Sequence, residues 1–283
     1  MTKIFCSTGG ATESALDVAE YFLSKSITNI ELSGGKYDPK TLDRIERLKS
    51  EGANFLIHNY FPVPKESFVL NLASQNSEIL NKSIDFLTKS IVFSKDIGSK
   101  IFAVHAGFLV DPSPNEIGKS FIKQKVNKKN IALEIFFESI TKLYEICQQN
   151  EVQLYVENNV ISKSNFKIFG EDIFLMTTFN DFHLFINEFR NRVRLLLDIG
   201  HLKVSCETHG LDKLDQLIQS NTIASGYHLH DNFGFHDDHL IFDLETSWFA
   251  KNLKKDMDFV TLEVHEYNNP QLEKLVLKLD KIM

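Results

Sequence analysis

The chain is poor in cysteine, and the few cysteines are scattered. Only three of its 283 residues are cysteine: Cys6, Cys147 and Cys206. They form no C-x-x-C pair, which argues against a disulfide framework or a thiolate zinc site and suits a reducing compartment. We therefore expect a cytoplasmic protein in which Cys206 serves as a small apolar side chain.

Long apolar runs and an excess of positive charge are also missing. No stretch approaches the roughly 18 consecutive apolar residues of a membrane helix, and the N-terminal MTKIFCSTGG lacks the apolar core of a secretory signal. The formal net charge of −7 gives no overall attraction to nucleic acid. With 43% hydrophobic and 24% charged residues, the composition indicates a globular protein with a substantial core and no membrane partner.

Short apolar runs recur along the chain, each followed by a polar turn and a helical pattern. The eight runs cover residues 3–10, 29–35, 54–61, 100–108, 153–159, 194–201, 225–232 and 259–267. Helix-like segments between them include residues 13–26, 76–98 and 130–150. Eight such alternations in a chain near the typical length of about 250 residues predict one (β/α)₈ barrel domain over residues 1–283. An open doubly wound sheet is disfavoured because no G-x-G-x-x-G follows the first run.

Metal-capable side chains stand at the ends of the last six predicted strands. In a barrel these ends form the face that carries the chemistry. The residues are His58, His105, Glu157, Asp198, His201, His228, His230 and Glu263. Burying such groups together at one barrel mouth without partners would cost free energy, and a bound divalent cation would remove that cost. The pattern therefore predicts a metal site.

Each of these residues also has a purely structural interpretation. A single histidine such as His58 is often a hydrogen-bonded loop residue, Glu157 could anchor a loop, and Asp198 could cap the next helix. Independent explanations of this kind would have to coincide on six successive strands, which favours the metal site. His183 and His209 fall outside the pattern, and for them the structural interpretation is preferred.

Several motifs together resemble a known family. VHAGF, VENN, LLLDIGH, HLHDN…DDH and TLEV are similar to motifs of the xylose-isomerase-like TIM barrels, which include sugar and sugar-phosphate isomerases and epimerases and the family-2 apurinic-site endonucleases. In the endonuclease branch nine residues hold three zinc ions. The resemblance implies these ligands: His58, His105, Glu157, Asp198, His201, His228, Asp237, His239 and Glu263. It leaves His236 and Asp238 as loop residues and makes His230 a substrate or second-shell contact.

Other segments depart from the endonuclease pattern. The third-strand motif reads HNYFPVPKESF, without Pro-Tyr directly after the histidine, and FDLETS stands where Gly-Glu-Gly usually follows D-x-H. The loop before D-x-H is also shorter. These changes fall where DNA contacts or the rim of the site would be, so they favour a small substrate.

One segment, GKSFIKQKVNKK (118–129), is locally basic, with five lysines and no acidic residue. It is either the solvated start of a helix or a clamp for a phosphate or a nucleic-acid backbone. Lys123 and Lys125 are the candidate substrate contacts within it.

Taken together, the sequence predicts a metal-dependent isomerase or epimerase of a sugar or sugar phosphate. Glu157 and Glu263 would move the proton, while Asp198 and His228 complete the coordination of one zinc, manganese or magnesium ion. The alternative is an endonuclease-IV-like zinc-dependent hydrolase of abasic DNA or another phosphate ester, with up to three ions. A non-catalytic metal-binding protein is the third possibility.

Overall fold

Eight parallel strands close on themselves in sequence order, so the predicted (β/α)₈ barrel is confirmed. The computed structural model describes residues 2–10, 12–190 and 192–283. The strands are β1 (Lys3–Ser7), β2 (Asn29–Leu32), β3 (Asn54–His58), β4 (Ile101–His105), β5 (Gln153–Glu157), β6 (Arg194–Asp198), β7 (Ala224–Leu229) and β8 (Phe259–Leu262). Each is shorter than the run that predicted it, because the last residues of each run lie beyond the strand, in the following loop or, after β6, at the start of the next helix.

Helices surround the barrel between successive strands. In the described residues they are α1 (Ala15–Ser24), α2 (Thr41–Ser50), α3 (Ser77–Asp96), α4 (Lys129–Gln149), α5 (Lys163–Phe169), α6 (Phe179–Phe189), α7 (Ile199–His209), α8 (Lys213–Ser220) and α9 (Leu272–Ile282). The three helical segments named from the sequence correspond to α1, α3 and α4. Ser14 and Asn76 cap α1 and α3 by accepting backbone N–H bonds, which satisfies donors at the helix start. All three cysteines are free and buried, and Cys206 packs in the hydrophobic core as the small apolar side chain that was predicted.

Apolar side chains fill the lower part of the barrel interior. They form one buried cluster: Phe5, Leu56, Ala103, Tyr155, Leu196 and Phe259. Successive strand residues point to opposite faces, so the residue two positions further along each strand enters the same interior one layer higher. On β3 to β6 that next residue is His58, His105, Glu157 and Asp198. The apolar layer is therefore the floor on which the predicted site rests.

Leu196 tests how much this apolar layer stabilises the fold. It is fully buried, so Leu196→Ala should lower the free energy of unfolding by about 2–5 kcal/mol. Leu184→Ala on α6 is the matched control, because Leu184 is 50% exposed and its loss should change stability by no more than about 0.5 kcal/mol. Urea denaturation of both variants measures the difference, and equal losses would contradict this packing.

Candidate metal and active site

Ten acidic and histidine side chains meet at the C-terminal ends of the strands in three groups that could each hold a metal ion. Within a group, one ligand atom per residue lies within 4.8 Å of the others. The groups are A (His58, His105, Glu157), B (Glu157, Asp198, His228, Glu263) and C (His201, His230, Asp237, His239). They bring together all nine predicted ligands and add His230. Because Glu157 belongs to both A and B, these two groups are contiguous.

Group B is the most deeply buried of the three, and its atoms crowd around one imidazole nitrogen. His228 Nδ1 lies 3.2 Å from Glu157 Oε1, 3.0 Å from Glu263 Oε2 and 3.9 Å from Asp198 Oδ2. The second oxygen of Glu157 accepts a hydrogen bond from His58 Nε2 at 2.6 Å. Three carboxylates and a histidine thus converge in the barrel interior.

Several donor and acceptor atoms in this region have no hydrogen-bond partner among the described residues. Ten buried side-chain polar atoms lack a hydrogen-bond partner among the described residues, and six of them belong to this cluster. The six are Glu31 Oε1, His105 Nδ1, Glu157 Oε1, His228 Nδ1, Asp237 Oδ1 and Glu263 Oε2. Buried polar atoms normally find partners, and mixed imidazole and carboxylate ligands suit zinc or manganese. The residues present therefore fit divalent cations.

Asp198 both caps a helix and belongs to one of the groups that could hold a metal ion. Its Oδ1 accepts the backbone N–H of His201 at 2.6 Å, so it caps α7, while its carboxylate also belongs to group B. Asn158 stabilises this corner by accepting Asp198 N–H at 2.7 Å. The backbone carbonyl of Asn158 accepts a hydrogen bond from His201 Nδ1 at 2.8 Å. That bond places the proton on Nδ1 and leaves Nε2, 3.0 Å from Asp237 Oδ2, as a ligand atom.

In group C, His239 is oriented like His201, by a hydrogen bond from Nδ1 to a backbone carbonyl. His239 Nδ1 donates to the Glu263 carbonyl at 3.0 Å, and its Nε2 lies 2.8 Å from Asp237 Oδ2.

His230 is fully buried and stacks on His239 with ring centroids 4.0 Å apart. Its Nε2 lies 3.1 Å from both Asp198 oxygens. His230, predicted to contact either the substrate or a metal ligand, lies beside the Asp198 carboxylate and is not among the described residues that line the cavity. Gly200 is required beside it, since a Cβ there would lie 1.9 Å from His230 Cε1.

Glu31 is a buried carboxylate of the site that the sequence analysis missed. Its Oε2 accepts from His228 Nε2 at 3.0 Å and from Thr261 Oγ1 at 2.9 Å. The bond fixes the histidine with Nδ1 facing group B, the arrangement in which an outer carboxylate orients a metal-binding imidazole. The sequence feature that could have revealed Glu31 is an acidic residue inside the apolar run NIEL.

His265 was missed as well, although it lies two residues after Glu263. It stacks on His239 with ring centroids 3.9 Å apart and lines the cavity described below. Gly10, at φ +73°, makes room for it, because a Cβ there would lie 2.1 Å from the His265 ring. Desolvation and the neighbouring His239 lower the pKa of His265 to about 4, so this ring is neutral near pH 7.

A cavity of about 1100 Å³ opens beside the three groups. Its inner end is lined by these site residues: His105, His201, Asp237, His239 and His265. His236 and Asp238, which the sequence left as loop residues, line it too. Lys119 is the one lysine among the described residues that line the cavity. Lys123 and Lys125 are exposed and do not belong to that lining. The basic segment precedes α4, which begins only at Lys129, so it forms a loop beside the cavity.

Histidines and carboxylates of the site shift one another's pKa values in opposite directions. Burial lowers the pKa of His239, but the Asp237 carboxylate outweighs burial and raises that pKa to about 9. Glu31 and Glu157 likewise raise the pKa of His228 against burial. Burial raises the pKa of Glu263, and His228 overcomes it and holds that pKa well below the usual range. Without a cation, protons on these imidazoles offset part of the charge of the carboxylates.

Zinc binding to group C should therefore release a proton from His239. A ligating imidazole must be neutral, and the folded pKa of about 9 lies above the unfolded value of about 6.5. In the metal-free protein this group stabilises the fold fully below about pH 6.5 and loses that contribution as the pH rises through about 9. Calorimetric zinc titrations in buffers of different ionisation enthalpy count the protons.

We expect more protons to be released near pH 7.5 than above about pH 9, because His239 has already lost its proton at the higher pH. His265→Gln is the control and should release as many protons as wild type, because His265 is already neutral. The same proton count above and below pH 9 would contradict this charge assignment.

Glu31→Gln tests the orientation of His228. The amide preserves the shape and an acceptor oxygen but removes the negative charge, so zinc affinity at group B should fall about 10–100-fold. Competition with a chelator of known affinity measures the change. Glu46→Gln, on the exposed face of α2, is the control and should bind zinc like wild type. If both variants bind alike, Glu31 has no positioning role.

Comparisons with known proteins agree with this architecture. Residues 27–278 match the sequence-family model described as xylose isomerase-like TIM barrel. No curated protein sequence matches the chain. No helix in the described ranges combines the length and apolarity that a membrane span requires.

Three solved structures illustrate the similarity in fold. A D-tagatose 3-epimerase-like protein has a TM-score of 0.69 at 18% identity, over 99% of this chain and 98% of that one. A protein from Thermus thermophilus soaked with ZnCl2 has a TM-score of 0.62 at 15% identity, over 99% and 98%. An L-ribulose 3-epimerase has a TM-score of 0.63 at 14% identity, over 100% and 92%. At these identities the similarity establishes the shared barrel.

Proposed function

The chain belongs to the xylose isomerase-like TIM barrel family, and from that premise we propose that it is a metal-dependent isomerase or epimerase of a sugar or sugar phosphate. One observation carries the proposal. Two carboxylates, Glu157 and Glu263, converge on His228 Nδ1 at 3.2 and 3.0 Å within a four-residue group that suits one divalent cation. The epimerases among the similar structures support the same class.

Epimerisation requires removal of a proton from a carbon next to a carbonyl and its return from the other side. Held by Glu157, Asp198, His228 and Glu263, a zinc, manganese or magnesium ion would polarise the carbonyl and a neighbouring hydroxyl of the sugar. Glu263 keeps 7% of its surface exposed and Glu157 none, so Glu263 is assigned the first contact with the substrate. Because Glu263 is ionised, it is available to accept a proton.

The lysines of the basic loop have a separate role in this proposal. Lys119 lines the cavity, and Lys123 and Lys125 lie exposed in the same loop. We assign the loop to the phosphate of a sugar phosphate, where lysine acts as a point charge. Neutral sugars would not need it, so its replacement would raise KM for the phosphorylated substrate alone.

A second candidate function follows from the number of metal-capable groups. Groups A and C add room for two further ions beside group B, and multinuclear sites serve phosphoester hydrolysis by activating water and stabilising the leaving group. This observation favours an endonuclease-IV-like zinc-dependent hydrolase of abasic DNA or another phosphate ester. The formal net charge of −7 favours the sugar substrate.

Hydrogen exchange distinguishes the two candidates. The metal-loaded protein, incubated in deuterated water with a panel of ketoses, aldoses and their phosphates, should introduce deuterium next to the carbonyl of one of them. Glu263→Gln should slow the exchange by about 10²–10⁴-fold because the base is lost. The exposed Glu266→Gln is the control and should exchange like wild type. Proton NMR of the sugar measures the rate.

Two outcomes would overturn the proposal. One is exchange that survives Glu263→Gln unchanged. The other is absence of exchange across the panel together with nicking of a duplex carrying one abasic site at catalytic protein concentrations, which would establish the hydrolase.

A further inference from the structure

The cavity extends well beyond what a monosaccharide needs. Its volume of about 1100 Å³ lies at the top of the range of about 300–1000 Å³ found for small-molecule sites. The metal-capable groups border only its inner end. The lining of the remainder includes four aliphatic side chains: Val69, Leu70, Leu72 and Leu87.

One wall of this outer part is an aromatic cluster from the loop after β3. Tyr60 and Phe68 both line the cavity and are half-buried, with ring centroids 5.7 Å apart. Phe86 on α3 supports them from behind, stacked on Tyr60 at 5.2 Å and edge-on to Phe68 at 5.6 Å. Such packing holds the two rings in place before any ligand arrives.

A second aromatic wall comes from the loops after β4 and α5. Phe108, Phe121 and Phe174 all line the cavity. Their centroids are separated by 5.2 Å (Phe108–Phe174), 5.6 Å (Phe121–Phe174) and 6.5 Å (Phe108–Phe121). Phe108 is half-buried and presents its free surface to the cavity, while Phe121 and Phe174 are buried behind it.

Three polar side chains of the lining beside the second wall are hydrogen-bonded within the protein. Asn165 Oδ1 accepts the Phe121 N–H at 2.8 Å, and the Ser162 and Ser164 hydroxyls are hydrogen-bonded to each other at 2.9 Å. A second sugar ring would need many free polar partners to replace its water, and a phosphate would occupy only the rim at Lys119. The surroundings suit an apolar planar group instead.

We propose that the substrate is a glycoside whose sugar ring carries a keto group and whose aglycone is planar and aryl-type. The aglycone lies against the two aromatic walls while the carbonyl-bearing sugar faces the metal-capable groups. The sugar half of this assignment rests on the proposed function above. The aglycone half rests on the cavity and its two walls. Ring-on-ring contact with each wall then contributes affinity beyond the buried area alone.

Matched pairs of glycosides test the assignment. Methyl and 4-nitrophenyl glycosides of glucose, galactose, mannose and xylose are titrated calorimetrically into the metal-loaded protein. For at least one sugar the aryl member should bind about tenfold or more tightly than its methyl partner. Phe68→Leu and Phe108→Leu keep an apolar side chain but remove the ring, so each should bring the ratio of the two dissociation constants toward one.

Phe235→Leu is the control variant. Phe235 is 57% exposed and does not line the cavity within the described residues, so its loss should leave the ratio unchanged. Thermal unfolding of each variant shows that the barrel is intact. The inference is overturned if aryl and methyl glycosides bind equally in wild type, if neither binds, or if both wall variants retain the full ratio.

The exchange experiment on free sugars is independent of this ratio. Exchange without an aryl preference would support the proposed function and contradict the assignment of an aryl aglycone. An aryl preference combined with absence of exchange and with nicking of abasic duplex would support the aryl-binding walls and contradict the isomerase assignment.

Discussion

Charge balance in a buried layer is the constraint on which the rest of the structure depends. Five carboxylates lie within hydrogen-bond or ligand distance of histidines in this layer: Glu31, Glu157, Asp198, Asp237 and Glu263. Isolated buried charges are expensive unless paired or bound to metal. Protons on His201, His228 and His239 offset part of this charge when no cation is bound. Bound divalent cations would offset it as well and would displace those protons.

The barrel makes this concentration of charge possible. Side chains alternate along each strand, so an apolar layer centred on Tyr155 and Leu196 fills the interior directly below the charged one. Helices outside the strands and the apolar layer beneath exclude water from Glu157 and Asp198, both fully buried. The Asn158 carbonyl and the Glu31 carboxylate then orient the imidazoles by accepting hydrogen bonds from them. Stability and function are therefore supplied by adjacent layers of the same strands.

Much of the fold and the candidate ligand set could be predicted because both are tied to strand ends. His58, His105, Glu157 and Asp198 are the last residues of their strands, a position that can be recognised in the sequence. Glu31 was missed because a single acid in an apolar run has no distinctive spacing. The burial of His230 was also inaccessible, since it depends on the missing side chain at Gly200.

Loop conformation set the remaining limit on prediction. The basic segment could not be placed from its lysines alone, because its backbone runs beside the cavity and turns Lys119 toward it while Lys123 and Lys125 face solvent. The aromatic walls likewise combine Tyr60 and Phe174, which are far apart in the sequence and become neighbours of one cavity only through the barrel. Periodicity carries no information about such long-range contacts.

Metal content is the measurement that tests the central claim most directly. The purified protein, loaded with zinc, freed of excess metal and analysed for bound metal by mass spectrometry, should retain one to three ions per chain. Glu157→Ala should reduce that number, because Glu157 is shared by groups A and B. Retention of no zinc by a folded wild-type protein would contradict the claim that cations balance the buried charges.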